Sequence, residues 1–122
     1  MAKRILIVED DTELCEQLAE ALRDEGYFTD YCSDPVKGDG LIRNGDYEII
    51  LLDYKLPGLT GIDILKKLKI DNVKKRILLV TGRPSADRTI KEEDLTDMIS
   101  GIIYKPIDFE GLLKKLENIS TA

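Results

Sequence analysis

A doubly wound α/β fold is what this chain predicts: a five-stranded parallel sheet in the strand order 2-1-3-4-5, with helices on both faces. Three observations carry that reading. Short apolar β-type runs alternate with helix-type segments five times, the pattern of successive βα units. Three of the runs, Arg4–Val8, Glu48–Leu52 and Arg76–Val80, are nearly continuous Ile, Leu and Val, as strands covered on both faces should be. No repeat, low-complexity stretch or linker interrupts the alternation, so residues 1–122 are expected to form one domain with a single core.

The elements follow in order. Arg4–Val8 is the first strand and runs into Glu9-Asp10-Asp11, with Asp11 expected as a first-turn acid of the helix that follows. That first helix has Leu14, Leu18, Ala21 and Leu22 as one apolar stripe and Gly26 as its stop. After a second strand, Tyr27–Cys32, Asp34-Pro35 supplies an N-cap and a proline at the first helical position. The third strand, Glu48–Leu52, ends against Asp53; Thr60 with Asp63 then makes a capping-box-like start to a helix whose stripe is Ile64, Leu65 and Leu68. Arg76–Val80 precedes Thr81-Gly82. The stretch Ser85–Asp94 is polar, with only Ala86 and Ile90 facing a core, so the fourth helix is the weakest element of the pattern. Gly101–Tyr104 is the fifth strand. Asp108 is placed as the cap of the last helix, with Leu112, Leu113 and Leu116 beneath it, and Asn118–Ala122 reads as a tail.

Composition excludes several function classes. The apolar runs Ile49–Leu52 and Ile77–Val80 are far too short to span a bilayer, and Glu9–Asp11 end the first run too early for a signal peptide. A cytoplasmic protein, not in the membrane, is therefore expected. The chain has no histidine, which removes Ser/His and Cys/His catalysis, imidazole metal ligands and phosphohistidine. A net charge of −6 argues against direct nucleic-acid binding, and Lys66, Lys67, Lys69, Lys74, Lys75 and Arg76 read as a solvated helix face and loop. Cys15 and Cys32 lack CxxC or metal-ligand spacing and read as buried free thiols.

In doubly wound sheets, ligands bind beyond the carboxyl ends of the strands where the strand order reverses, here between strands one and three. Glu9 and Asp10 therefore meet Asp53. Two unit charges about 4 Å apart repel by roughly 4 kcal/mol at an effective dielectric of about 20. A hard divalent cation resolves the repulsion, and the all-oxygen donor set suits Mg²⁺, with Mn²⁺ the alternative. Thr81 and Lys105 end strands four and five at the same place. A carboxylate nucleophile, a metal, a hydroxyl and an ammonium form a set for phosphoryl transfer.

The motifs ILIVEDD, LLDYKLPGLTG, LLVTG and YKP together resemble the receiver domain of two-component response regulators, a flavodoxin-like (βα)5 family, across essentially the whole chain. The resemblance implies that Asp53 is phosphorylated, that Glu9 and Asp10 are the metal-binding pair, and that Thr81 and Lys105 are the switch hydroxyl and the site lysine. It also implies a metal contact from the Lys55 backbone carbonyl, a turn through Pro57, Gly58 and Gly61, and a cis peptide at Lys105-Pro106. Lys55 and Arg83 would flank the mouth of the site and slow the escape of the phosphoryl group. The phosphoryl donor would be the phosphohistidine of a histidine kinase or histidine phosphotransfer protein. Phosphorylation would switch the surface of the fourth helix, fifth strand and fifth helix toward a downstream effector protein or a lost output domain, none being present in the chain. Such a domain catalyses its own phosphorylation and dephosphorylation, with no separate substrate turnover. The sequence departs from the family at Ile102, where an aromatic switch residue is usual, while Tyr104 lies next to Lys105. A degenerate receiver acting only as a docking module is the alternative. A haloacid-dehalogenase-type phosphatase fits less well, because Lys55 stands where its second aspartate would be; a flavodoxin would need a phosphate loop where this chain has acids.

Overall fold

The computed structural model describes residues 3–121. Burial on two faces forces near-continuous apolar runs into central strands, and the five runs form β1 (Arg4–Val8), β2 (Phe28–Cys32), β3 (Ile49–Asp53), β4 (Ile77–Thr81) and β5 (Gly101–Tyr104). All pairings are parallel, in the order β2-β1-β3-β4-β5. Helices α1 (Thr12–Asp24), α2 (Pro35–Asn44), α3 (Gly61–Ile70), α4 (Ala86–Glu92) and α5 (Phe109–Thr121) cover the sheet. No helix among the described residues is long and apolar enough to cross a membrane.

Strand side chains alternate between the faces, and two cores result. Leu6, Val8, Ile50, Leu52, Ile77 and Leu79 pack with α2, α3 and α4; Ile5, Ile7, Ile49, Leu51, Leu78 and Val80 pack with α1 and α5. Each fully buried aliphatic side chain contributes roughly 1.5–3 kcal/mol relative to exposure, so the centre of the sheet dominates the stability.

Several boundaries and faces differ from the sequence reading. β3 and β4 each extend one residue past their apolar runs, so Asp53 and Thr81 are the last residues of their strands, as their strand-end placement in the sequence implies. β2 begins at Phe28, not Tyr27. In α1 the buried residues are Cys15, Leu18, Ala19 and Leu22, while Leu14 and Ala21 sit half-buried at the margin. The stripe of leucines marks the helix but not its rotation, which buries Cys15 and Ala19 completely in the core shared with the sheet. Asp11 is the N-cap of α1 rather than a first-turn acid: its carboxylate accepts a hydrogen bond from the Leu14 N–H (3.1 Å). α4 has seven residues and no side-chain cap, and its chain continues through a 3₁₀ turn, Thr96–Met98, that buries Leu95 and Met98. Leu113 is half-buried, and residues 118–121, expected as a tail, continue α5; Ala122 lies outside the described residues. The Asp34 cap, the Thr60–Asp63 capping box, the two buried free cysteines and the cis Lys105-Pro106 bond are all present.

Candidate functional site

Register decides which groups meet. Val8 pairs with Leu52, so Glu9 lies level with Asp53; Asp53 pairs with Val80, and Thr81 with Tyr104. Glu9, Asp53, Thr81 and Lys105 therefore collect at one carboxyl edge, each delivered by a different strand. Gly61 lets the loop after β3 close on the site. A Cβ there would stand 2.4 Å from the Asp53 carbonyl oxygen, so only glycine allows α3 to start directly against the strand end.

Carboxylate oxygens of Glu9, Asp10 and Asp53 lie within 4.8 Å of one another, the cluster of potential metal ligands found among the described residues. Glu9 and Asp53 are nearly dry, at 3% and 4% exposure, whereas Asp10 faces solvent. Lys105 Nζ donates to Glu9 Oε1 at 2.8 Å and lies 3.5 Å from Asp53 Oδ1. Glu9 Oε2 accepts from the Asp11 N–H (3.3 Å), and Asp53 Oδ1 accepts from the Lys55 N–H (3.4 Å). The hydroxyl oxygen of Thr81, 1% exposed, accepts from the Arg83 N–H (3.0 Å), which leaves its own proton to be donated.

Burial raises the Glu9 carboxyl above its usual range, and the neighbouring Asp53 carboxylate raises it further, against the lowering pull of Lys105. Asp10 is raised by burial and then by Glu9. Burial alone would lower the Lys105 ammonium, but the hydrogen bond to Glu9 and the charge of Asp53 more than offset it, so Lys105 is held above its ordinary value. Cys15, whose S–H donates to the Glu9 carbonyl (3.2 Å), is pushed up to about 12 by burial and by the acids around it. Three carboxylates against one ammonium leave two negative charges when all are ionised. The all-oxygen donor set, the close carboxylates and that residual charge fit a hard divalent cation.

These groups open into a cavity of about 480 Å³ whose mouth is flanked by Tyr54, Lys55, Gly82 and Arg83. Larger clefts of about 790 and 610 Å³ run beside β2, but neither contains the carboxylate cluster. All six expected site residues (Glu9, Asp10, Asp53, Lys55, Thr81 and Lys105) meet in the one cavity. Ile102 and Tyr104 do not reach it; both border a small cleft over α5 instead. Sequence reading missed that Lys105 pairs first with Glu9, and that the Arg83 guanidinium lies 5.0 Å from the centroid of the Tyr54 ring. The second had a signal: Tyr54 follows Asp53 and Arg83 comes two after Thr81, on strand ends that are neighbours.

Residues 5–117 match the family described as the response regulator receiver domain. The transcriptional regulatory protein TcrA of Mycobacterium tuberculosis is 30% identical over 124 residues, covering 96% of this chain and 46% of that protein. The chain thus spans about half the length of the first curated relatives it matches. A receiver domain protein (CheY-like) from Methanospirillum hungatei superposes with a TM-score of 0.84 at 30% identity, covering 99% of this chain and 96% of that one. The response regulator TrrA of Thermotoga maritima, solved in complex with Mg²⁺ and BeF, superposes at 0.81 with 24% identity, covering 96% of this chain and 98% of that one.

Proposed function

We propose a function from one premise: the chain belongs to the response regulator receiver family of two-component signalling, in which Mg²⁺-dependent phosphoryl transfer is general. Asp53 is the phosphoacceptor in this reading. One observation carries it: the Asp53 carboxylate, at the last residue of a buried strand, has two further carboxylates within 4.8 Å and the Lys105 ammonium at 3.5 Å. The donor is a phosphohistidine of a histidine kinase or histidine phosphotransfer protein. An Asp53 oxygen attacks phosphorus, the P–N bond breaks, and the imidazole leaves; the product is an acyl phosphate on Asp53.

Mg²⁺, or Mn²⁺, would be held by Asp10, by Asp53 and by the Lys55 backbone carbonyl, with Glu9 contributing partly through water because Lys105 and the Asp11 N–H engage its two oxygens. When bound, the ion neutralises charge on the transferring phosphoryl oxygens. Lys105 and Thr81 come from the chain itself. The ammonium is close enough to transfer a hydrogen bond from Glu9 to a phosphoryl oxygen, and the Thr81 hydroxyl has its proton to donate. Movement of Thr81 toward that oxygen would pull on β4 and reshape the α4–β5–α5 surface, which then acts on a downstream effector or on an output segment. A cytoplasmic location belongs to the same proposal.

The test is intact mass after incubation with Mg²⁺ and a small acyl-phosphate donor. One phosphoryl group, labile to hydroxylamine and absent in Asp53→Asn, is expected. Phosphate that survives Asp53→Asn would assign the acceptor elsewhere, and equal labelling in EDTA would remove the metal from the mechanism.

A further inference from the structure

The Tyr54–Arg83 contact has a geometry that neither the carboxylates nor Lys105 explain. Tyr54 is clamped through its backbone: its N–H donates to the Val80 carbonyl (2.8 Å) and its carbonyl accepts from the Gly61 N–H (2.9 Å). Its ring packs partly against the core, so it is a fixed platform beside Asp53. Arg83, by contrast, is an exposed residue with a long, flexible side chain on the loop after β4. Its guanidinium nevertheless lies over the Tyr54 ring, 5.0 Å from the centroid, and both residues line the acidic cavity. A guanidinium carries five N–H donors, more than one ring face can engage, so donors remain to bind an anion.

We infer that Tyr54 is a positioning residue that holds the Arg83 guanidinium at the mouth of the cavity, ready to engage a phosphoryl group on Asp53 and to obstruct the approach of water. The inference rests on Asp53 being the phosphoacceptor. Without the ring, the arginine would spread over many rotamers in solvent and seldom occupy the mouth. A contact of this kind at a partly exposed site changes affinity or rate roughly two- to five-fold.

The experiment compares the unaltered chain with Tyr54→Leu, Tyr54→Phe, Arg83→Ala and the double variant Tyr54→Leu/Arg83→Ala. Two quantities are read: affinity for beryllofluoride in the presence of Mg²⁺, and the decay rate of the acyl phosphate. Tyr54→Leu and Arg83→Ala should each weaken beryllofluoride binding and hasten decay by roughly two- to five-fold. Tyr54→Phe should keep wild-type values, because the ring face is retained. The double variant should be no worse than Arg83→Ala, since the ring acts only through the guanidinium. Additive losses would show that Tyr54 acts through packing alone and overturn the inference. Arg83→Ala alters only an exposed loop, so wild-type affinity and decay in that variant overturn it even where Tyr54→Leu does not fold. If the unaltered chain binds no beryllofluoride and takes no phosphate, the phosphoacceptor reading falls first and this inference with it.

Discussion

β3 and β4 are buried at every residue from Ile49 to Asp53 and from Ile77 to Thr81, whereas in β5 only Ile103 is buried and the neighbouring α4 is seven residues long without a side-chain cap. Both regions belong to one sheet. In the first, continuous burial holds the strand ends rigid and keeps Glu9, Asp53 and Thr81 nearly dry, so electrostatic interactions there are strong. In the second, α4 and its 3₁₀ turn reach the core through Ile90, Leu95 and Met98, and their ties to α3 include partly exposed ion pairs, Lys66 to Glu93 at 2.9 Å and Lys69 to Asp97 at 3.2 Å, of a kind that adds little stability. In the proposed switch, a buried site beside a more exposed edge would let a small displacement of Thr81 reshape the edge while Glu9 and Asp53 stay in place.

The contrast is broken most severely from the rigid side. Leu79→Ala removes a fully buried side chain at the centre of the sheet and should cost about 3 kcal/mol of stability, measured by denaturant unfolding. Loss of less than about 1 kcal/mol would mean that the centre is no better packed than the edge. Gly61→Ala comes next, at roughly 2 kcal/mol, because its Cβ would stand 2.4 Å from the Asp53 carbonyl. It should also slow phosphorylation, since relief of the clash moves Asp53; Leu79→Ala should leave phosphorylation nearly intact in the folded fraction.

The third prediction concerns stored repulsion. Burial and Asp53 raise the Glu9 carboxyl above its usual 4.5, so the folded state holds more protons than the unfolded state in the window above that value. The metal-free chain should therefore lose stability as pH rises through that window, and a divalent cation should restore it. Asp53→Asn removes one of the repelling charges and should raise the melting temperature of the metal-free chain at pH 7 by about 4 °C, the effect of roughly 1 kcal/mol. An unchanged or lower melting temperature would show that Lys105 already balances the site. The smallest effect belongs to the edge. Lys69→Ala should leave the melting temperature within error, although it removes contacts to Asp94 and Asp97. Amide exchange would still register it, with faster exchange confined to α4 and the 3₁₀ turn.

The alternation of apolar runs determined by itself that this chain makes five parallel strands and which residues end them, because a strand buried on both faces needs continuous aliphatic sequence. Strand-end chemistry determined the candidate site: Glu9, Asp10, Asp53, Thr81 and Lys105 are polar residues placed just where apolar runs stop, and the known topology of such sheets brings those stops together. Local caps were legible for the same reason, as Asp34 and the Thr60–Asp63 pair act within a single turn. What only the tertiary structure decided is everything set by contact between segments distant in sequence. The rotation that buries Cys15 and Ala19 depends on where the sheet lies beneath α1. The choice of Lys105 to pair with Glu9 before Asp53 spans 96 residues and depends on the height of β5 against β1. The seat of Arg83 on Tyr54 follows from the register of β3 with β4, which sets these two residues, each just past a strand end, side by side. Sequence periodicity specifies which side of a segment is apolar; which partner that segment meets, and at what distance, emerges only when the strands are brought into register.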